Sequence, residues 1–272
     1  MKKDPKRILA LAAVVLLAAV CCLPMIAAFG KGERSAGFFR LSIGLVIAVP
    51  IFAYICMMAA KLWGSRKEQN MGTIRNVIFD VGNVLLEYNW SDYLDSFGFP
   101  EEKRERIANA TFLSETWNLR DKGGLPDEEY MRQFVANAPE YEEEIREVVA
   151  GTRKCLHNVD YAIPWIRFLK SKGYRLFVLS NYSSAVLAET RDMMDFLPYM
   201  DGVVFSCEVN QLKPEPEIYR TLMDRYGLAA EECVFLDDRE ENCEGARKLG
   251  IKAICFQNFT QAAKALEELG VA

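Results

Sequence analysis

The stretch Asn76-Val77-Ile78-Phe79-Asp80-Val81-Gly82-Asn83-Val84-Leu85 decides the fold. An apolar run reaches a carboxylate and then Gly-Asn, residue types that break regular structure and make turns. A short run of β-branched and aromatic residues bounded in this way reads as a strand buried on both faces. Asp80 then sits at the carboxyl end of that strand.

Further runs of the same kind follow at 175–179, 202–205, 233–236 and 251–256. Amphipathic stretches at 160–172, 184–194, 216–226, 242–249 and 260–269 separate them and predict helices, with Gly173, Gly227 and Gly250 where C-terminal caps belong. Strand–helix alternation predicts an α/β fold with a doubly wound parallel sheet. Such sheets bind ligands beyond the carboxyl ends of their strands. Residues 90–152 break the alternation. They carry helical patterns at 102–110, 127–136 and 140–149 and a Gly123-Gly124 turn, so they read as an all-helical insertion, or cap.

The polar residues at the predicted strand ends form one inventory. The first strand delivers Asp80. The second ends in Ser180-Asn181, the third is followed by Lys213-Pro214, and the fourth ends in Asp237-Asp238 with Asn242 beyond. Each piece alone has a plain structural reading as a helix cap or a turn. Together, at successive strand ends, they make a candidate site of carboxylates, a hydroxyl, an amide and an ammonium. That set suits an anionic phosphate ester, whose repulsion from a carboxylate nucleophile a lysine and an oxygen-bound divalent cation would offset.

These four sets, in this order, resemble the haloacid dehalogenase superfamily, with residues 74–272 as the hydrolase domain and 90–152 as its cap. The Phe-Asp-Val-Gly-Asn-Val form looks most like the alpha-D-glucose-1-phosphate phosphatase group, as do the Asp237-Asp238 pair, Asn242 and Glu244-Gly245-Ala246. The resemblance implies a phosphatase acting on a small monoester, plausibly a sugar phosphate. Asp80 would be the nucleophile. Asp80, the Gly82 carbonyl and Asp238 would hold Mg²⁺, with Asp237 beside it. Ser180 and the Asn181 amide would bind the phosphoryl group, and Lys213 would bind it and orient Asp80. Most phosphatases of this superfamily carry an acid–base Asp two residues after the nucleophile. Here that position is Gly82, which cannot transfer a proton. Trp117, Arg120 and the Gly123-Gly124 turn are the cap residues expected to reach the site. Two other readings use the same fold: a metal-independent dehalogenase, which leaves the Asp237-Asp238 pair unexplained, and a non-catalytic tethered binding protein, which Gly82 would suit.

The rest of the chain reads differently. Residues 1–75 carry 11 of the 33 Lys and Arg but only 3 of the 38 Asp and Glu. The uncharged segments 8–29 and 41–60 are each long enough to cross a hydrocarbon core of ~30 Å as a helix. They predict a membrane hairpin within residues 1–70. Four basic residues precede the first span, three lie between the spans and four follow the second, which favours both ends on the cytoplasmic side. The remaining residues are acidic on balance, which argues against nucleic acid as the partner. Eight cysteines without a C-x-x-C pair, and a single histidine, predict neither a disulfide framework nor a zinc site.

Overall fold

The computed structural model describes residues 73–271. The expected spans at 8–29 and 41–60 lie outside the described residues. Among the described residues no helix is long and apolar enough to cross a membrane.

In chain order, β1 (Asn76–Phe79) and β2 (Leu86–Tyr88) come first. The helices α1 (Trp90–Asp95), α2 (Glu101–Ala110), α3 (Glu115–Lys122), α4 (Asp127–Asn137) and α5 (Glu142–Ala150) follow. Next are β3 (Leu156–Asn158), α6 (Ala162–Ser171), β4 (Arg175–Ser180) and α7 (Ser184–Thr190). The chain then runs through β5 (Gly202–Phe205), α8 (Ser206–Val209), α9 (Pro216–Tyr226), β6 (Cys233–Asp237), α10 (Glu240–Lys248), β7 (Lys252–Cys255) and α11 (Phe259–Glu268).

Five of these strands form a parallel sheet in the order β5-β4-β1-β6-β7. β1 and β6 are buried along their whole length, which is why they read as continuous apolar runs. Side chains alternate between the two faces. Val77, Phe79, Leu176, Val178, Val234 and Leu236 pack toward α6 and α11. Ile78, Phe177, Leu179 and Phe235 pack toward α9 and α10. Gly173, Gly227 and Gly250 all take positive φ at helix ends, as their positions predicted.

The insertion has its own core, built on Leu94, Ile107, Phe134, Ile145 and Val148. A feature absent from the sequence reading closes it at its base: β2 and β3 pair antiparallel, with Leu86 opposite Asn158 and Tyr88 opposite Leu156. Strands of three residues are too short to display a period-two pattern, so only the fold reveals them.

Candidate active site

Sheet register assembles the site. Phe79 stands beside Val178 on one side and Leu236 on the other, so the ends of β4, β1 and β6 are level. The Asp80 amide donates to the Leu236 carbonyl at 2.9 Å, which carries the ladder one residue past β1. Asp80, Ser180 and Asp237 therefore emerge at one edge, with Lys213 reaching in from the loop before α9.

Lys213 is buried at the centre. Its Nζ lies 2.8 Å from Asp80 Oδ1 and 2.6 Å from Asp237 Oδ2, and donates to the Leu179 carbonyl at 3.0 Å. Burial alone would favour the neutral amine, but Asp237 and Asp80 outweigh it and hold the pKa above the ordinary lysine value. Of the three donors of the ammonium, two make hydrogen bonds, to Asp237 and to the Leu179 carbonyl, while Asp80 Oδ1 stands at ion-pair distance without a hydrogen bond. Lys213, expected to bind the phosphoryl group and to orient Asp80, lines the cavity and faces Asp80 there.

Asp237, expected beside the metal, falls with Asp80 and Asp238 in one cluster of carboxylates. It is fully buried, its Oδ1 accepts from the Arg239 amide and Asn242 Nδ2, both at 2.9 Å, and its Oδ2 holds Lys213. Within that cluster its oxygens are committed and it does not line the cavity. Its work is to anchor Lys213. Asn181 helps in the same way: its side chain donates to the Lys213 carbonyl at 3.0 Å and accepts from the Lys213 amide at 2.9 Å.

Asp80, Gly82 and Asp238 do face a common cavity of about 470 Å³, together with Ser180, Asn181 and Lys213. Burial raises Asp80 from 3.8 to about 6; Lys213 opposes the shift and Asp237 adds to it. Asp238 is raised too, by burial and by Asp237, against a hydrogen bond from Asn83. Three carboxylates thus share one ammonium, and a divalent cation bound through hard oxygen donors fits that imbalance. Asn83 orients the Asp238 side. It takes a left-handed conformation, φ 56°, which asparagine tolerates. Its Nδ2 donates to Asp238 Oδ2 at 2.9 Å and its Oδ1 accepts from the Tyr88 amide at 3.0 Å.

Gly82 is not demanded by the backbone. Its φ is not positive, and an added Cβ would meet only Tyr88 Cβ, at 3.9 Å. A side chain there would fit.

The cap supplies the opposite wall. Trp90 stacks on Phe112 at 5.4 Å, Phe112 meets Trp117 at 4.7 Å, and all three line the cavity. Trp117 therefore reaches the site as expected. Arg120 does not: it is buried against Asp127, at 2.7 and 3.2 Å, and supports Trp117 from behind. Gly123-Gly124 forms the expected turn but packs on the segment after β5. A cavity residue that sequence reasoning missed is Asp121, whose place on the inner face of α3 only the fold reveals.

Comparison with known proteins agrees with this geometry. The chain is 25% identical over 200 residues to flavin mononucleotide hydrolase 1 of Arabidopsis thaliana, covering 72% of this chain and 77% of that protein. It is 26% identical over 192 residues to the phosphorylated carbohydrates phosphatase of Thermotoga maritima, covering 65% and 82%. Among solved structures, a HAD family enzyme of Bacteroides thetaiotaomicron, in complex with magnesium and inorganic phosphate, shares the fold with a TM-score of 0.55 at 20% identity, covering 70% of this chain and 98% of that one. Residues 74–250 match the model of the haloacid dehalogenase-like hydrolases. With the sheet order, the level strand ends and the Asp80–Lys213–Asp237 arrangement, that match makes this chain an enzyme of the haloacid dehalogenase-like hydrolase family.

Proposed function

We propose that the chain is a Mg²⁺-dependent phosphatase of small phosphate monoesters, working through an aspartyl-phosphate on Asp80. The observation that carries this reading is the buried Lys213 ammonium between Asp80 and Asp237, with Asp238 across the same cavity. Asp80 attacks phosphorus, and Lys213 keeps it ionised and aimed. Ser180 and the Asn181 amide receive the phosphoryl oxygens. Asp80, Asp238 and the Gly82 carbonyl would hold the cation, whose charge offsets that of the ester. Phosphatases among the relatives and magnesium in a structural neighbour support the reading. A metal-independent dehalogenase leaves the Asp237–Asp238 pair unexplained, and a non-catalytic binding protein leaves unexplained a buried Lys213 held against Asp80.

For the substrate, the sequence resemblance and the carbohydrate-phosphatase relative favour a sugar phosphate. The Trp90–Phe112–Trp117 wall favours a second reading, a monoester that carries a flat ring system, and a flavin mononucleotide hydrolase is among the relatives. We also assign residues 1–70 to a two-span membrane anchor with the catalytic domain cytoplasmic, on the strength of the apolar segments 8–29 and 41–60 and the flanking basic residues.

The test is phosphate release from sugar, alkyl and aryl monoesters, with Mg²⁺ and with EDTA. The expected result is release that EDTA abolishes, fastest on one ring-bearing class. Release that EDTA leaves intact would contradict the metal assignment.

A further inference from the structure

Gly82 leaves the site without the usual proton donor, and the cavity offers few replacements. Its carboxylates are Asp80, Asp238 and Asp121. The first is the nucleophile and the second faces the cation in the reading above. Its tyrosines are poor donors near neutral pH, because burial raises Tyr88 well above 10 and Tyr182 to about 12.

Asp121 has the required placement. Ser114, Trp117, Asn118 and Asp121 recur at helical spacing, so one face of α3 lines the cavity. The end of that helix is fastened to the catalytic domain. Ser206 Oγ donates to the Asp121 carbonyl, and Asn210 Nδ2 donates to the Lys122 carbonyl at 3.2 Å. Lys122 pairs with Glu215 at 3.3 Å. Gly123, at φ 78°, brings the turn so close that a Cβ would lie 3.1 Å from the Cys207 carbonyl. This tether holds the Asp121 backbone over the ends of the strands.

The surroundings suit proton transfer. Burial raises Asp121 from 3.8 to about 7; Asp80 adds to the shift, while Arg120, Arg239 and the Ser183 amide oppose it. Tyr88, Tyr182 and Cys207 are the other titratable groups near enough to feel its charge. A carboxyl poised near the working pH is the most effective acid–base catalyst.

We propose that Asp121 is the general acid and base of this site, delivered by the cap in place of a side chain at position 82. The proposal rests on the phosphatase reading. As Asp80 forms its bond to phosphorus, the bond from phosphorus to the leaving oxygen breaks, and that oxygen takes the Asp121 proton. Water then attacks the aspartyl-phosphate. The Asp121 carboxylate accepts the water's proton, the bond from phosphorus to Asp80 breaks, and inorganic phosphate leaves.

The test compares kcat/KM of the full chain on two esters of similar shape, with Mg²⁺ present. Benzyl phosphate has a leaving group that needs protonation, and 4-nitrophenyl phosphate has one that does not. Asp121→Asn should lower kcat/KM on benzyl phosphate by about 10²–10⁴-fold and on 4-nitrophenyl phosphate by less than about 10-fold. Asp121→Ser, a second way of removing the acid, should give the same disparity, so a folding defect in one variant does not decide the outcome. Equal losses on both esters, or no loss on either, would overturn the assignment while leaving the phosphatase reading intact. A wild-type chain that cleaves neither ester nor any sugar phosphate would instead overturn that reading, and this one with it.

Discussion

At the scale of single residues, Asn83 shows how one side chain joins two jobs. It accepts the left-handed turn after the nucleophile and steers Asp238. Residues that orient metal ligands typically matter about 10–100-fold to metal affinity. Asn83→Ala should therefore raise the Mg²⁺ needed for half-maximal activity by about that factor. Asn83→Gly removes any backbone strain but also the hydrogen bond, so it should behave alike. A normal Mg²⁺ requirement in Asn83→Gly would mean that only the turn mattered. Asp80 gives a second residue-scale prediction. Its folded pKa, about 6, lies above its ordinary 3.8, so its contribution to stability is present below pH 3.8 and is lost as pH rises toward 6. In EDTA, wild type should lose on the order of 2–3 kcal/mol relative to Asp80→Asn across that window. Urea unfolding of both proteins at the two ends measures the gap, and a gap that does not change with pH would contradict the account. Asp80 and Asp238 were legible as candidates in the sequence because they follow apolar runs that form β1 and β6, and Lys213 because it stands in the polar stretch between β5 and the next long helix. The commitment of Asp237 to Lys213 was not, because it depends on which oxygen meets which donor.

At the scale of elements, α10 depends on a close approach. A Cβ on Gly245 would lie 2.8 Å from the Pro214 carbonyl and 3.0 Å from the Tyr219 hydroxyl. The nearest of these atoms is backbone, so the helix rather than a side chain must give way. The same helix carries Asn242, which holds Asp237, and the backbone it presses on follows Lys213. Gly245→Ala should destabilise the protein by about 1–3 kcal/mol, the usual cost of overpacking, and should lower kcat because Lys213 and its partner separate. Thermal melting and steady-state rates check both parts. Unchanged melting would show that the contact yields without cost. Central strands and their flanking helices were readable because burial on both faces leaves unbroken apolar runs. The helices α1 and α3 were not foreseen, since they are short and mostly polar and owe their place to the cap core. Asp121 went unnoticed for the same reason: its importance comes from the face α3 turns to the cavity and from the tether at Ser206.

At the scale of the whole molecule, the catalytic groups all lie in one unit, and the membrane anchor proposed for residues 1–70 lies outside it. Residues 72–272 cluster as one compact unit. A fragment beginning near Gly72 should thus keep kcat/KM on soluble esters within about threefold of the full chain, because nothing in the proposed chemistry calls on the N-terminal segment. The full chain should partition with membranes and the fragment should not. A thiol reagent applied to intact cells should leave the catalytic domain unlabelled, and labelling from outside would reverse the proposed orientation. The level register of β4, β1 and β6 is what gathers four separated motifs into one site, and that site makes one chemical commitment above all, a phosphoryl group carried on Asp80. Rapid acid quenching of the enzyme during turnover with Mg²⁺ and substrate, followed by peptide mass mapping, tests it directly. The account predicts one phosphoryl group on the peptide containing Asp80 and none in Asp80→Asn, which should also fail to turn over. A phosphoryl group on another residue, or wild-type turnover by Asp80→Asn, would contradict it.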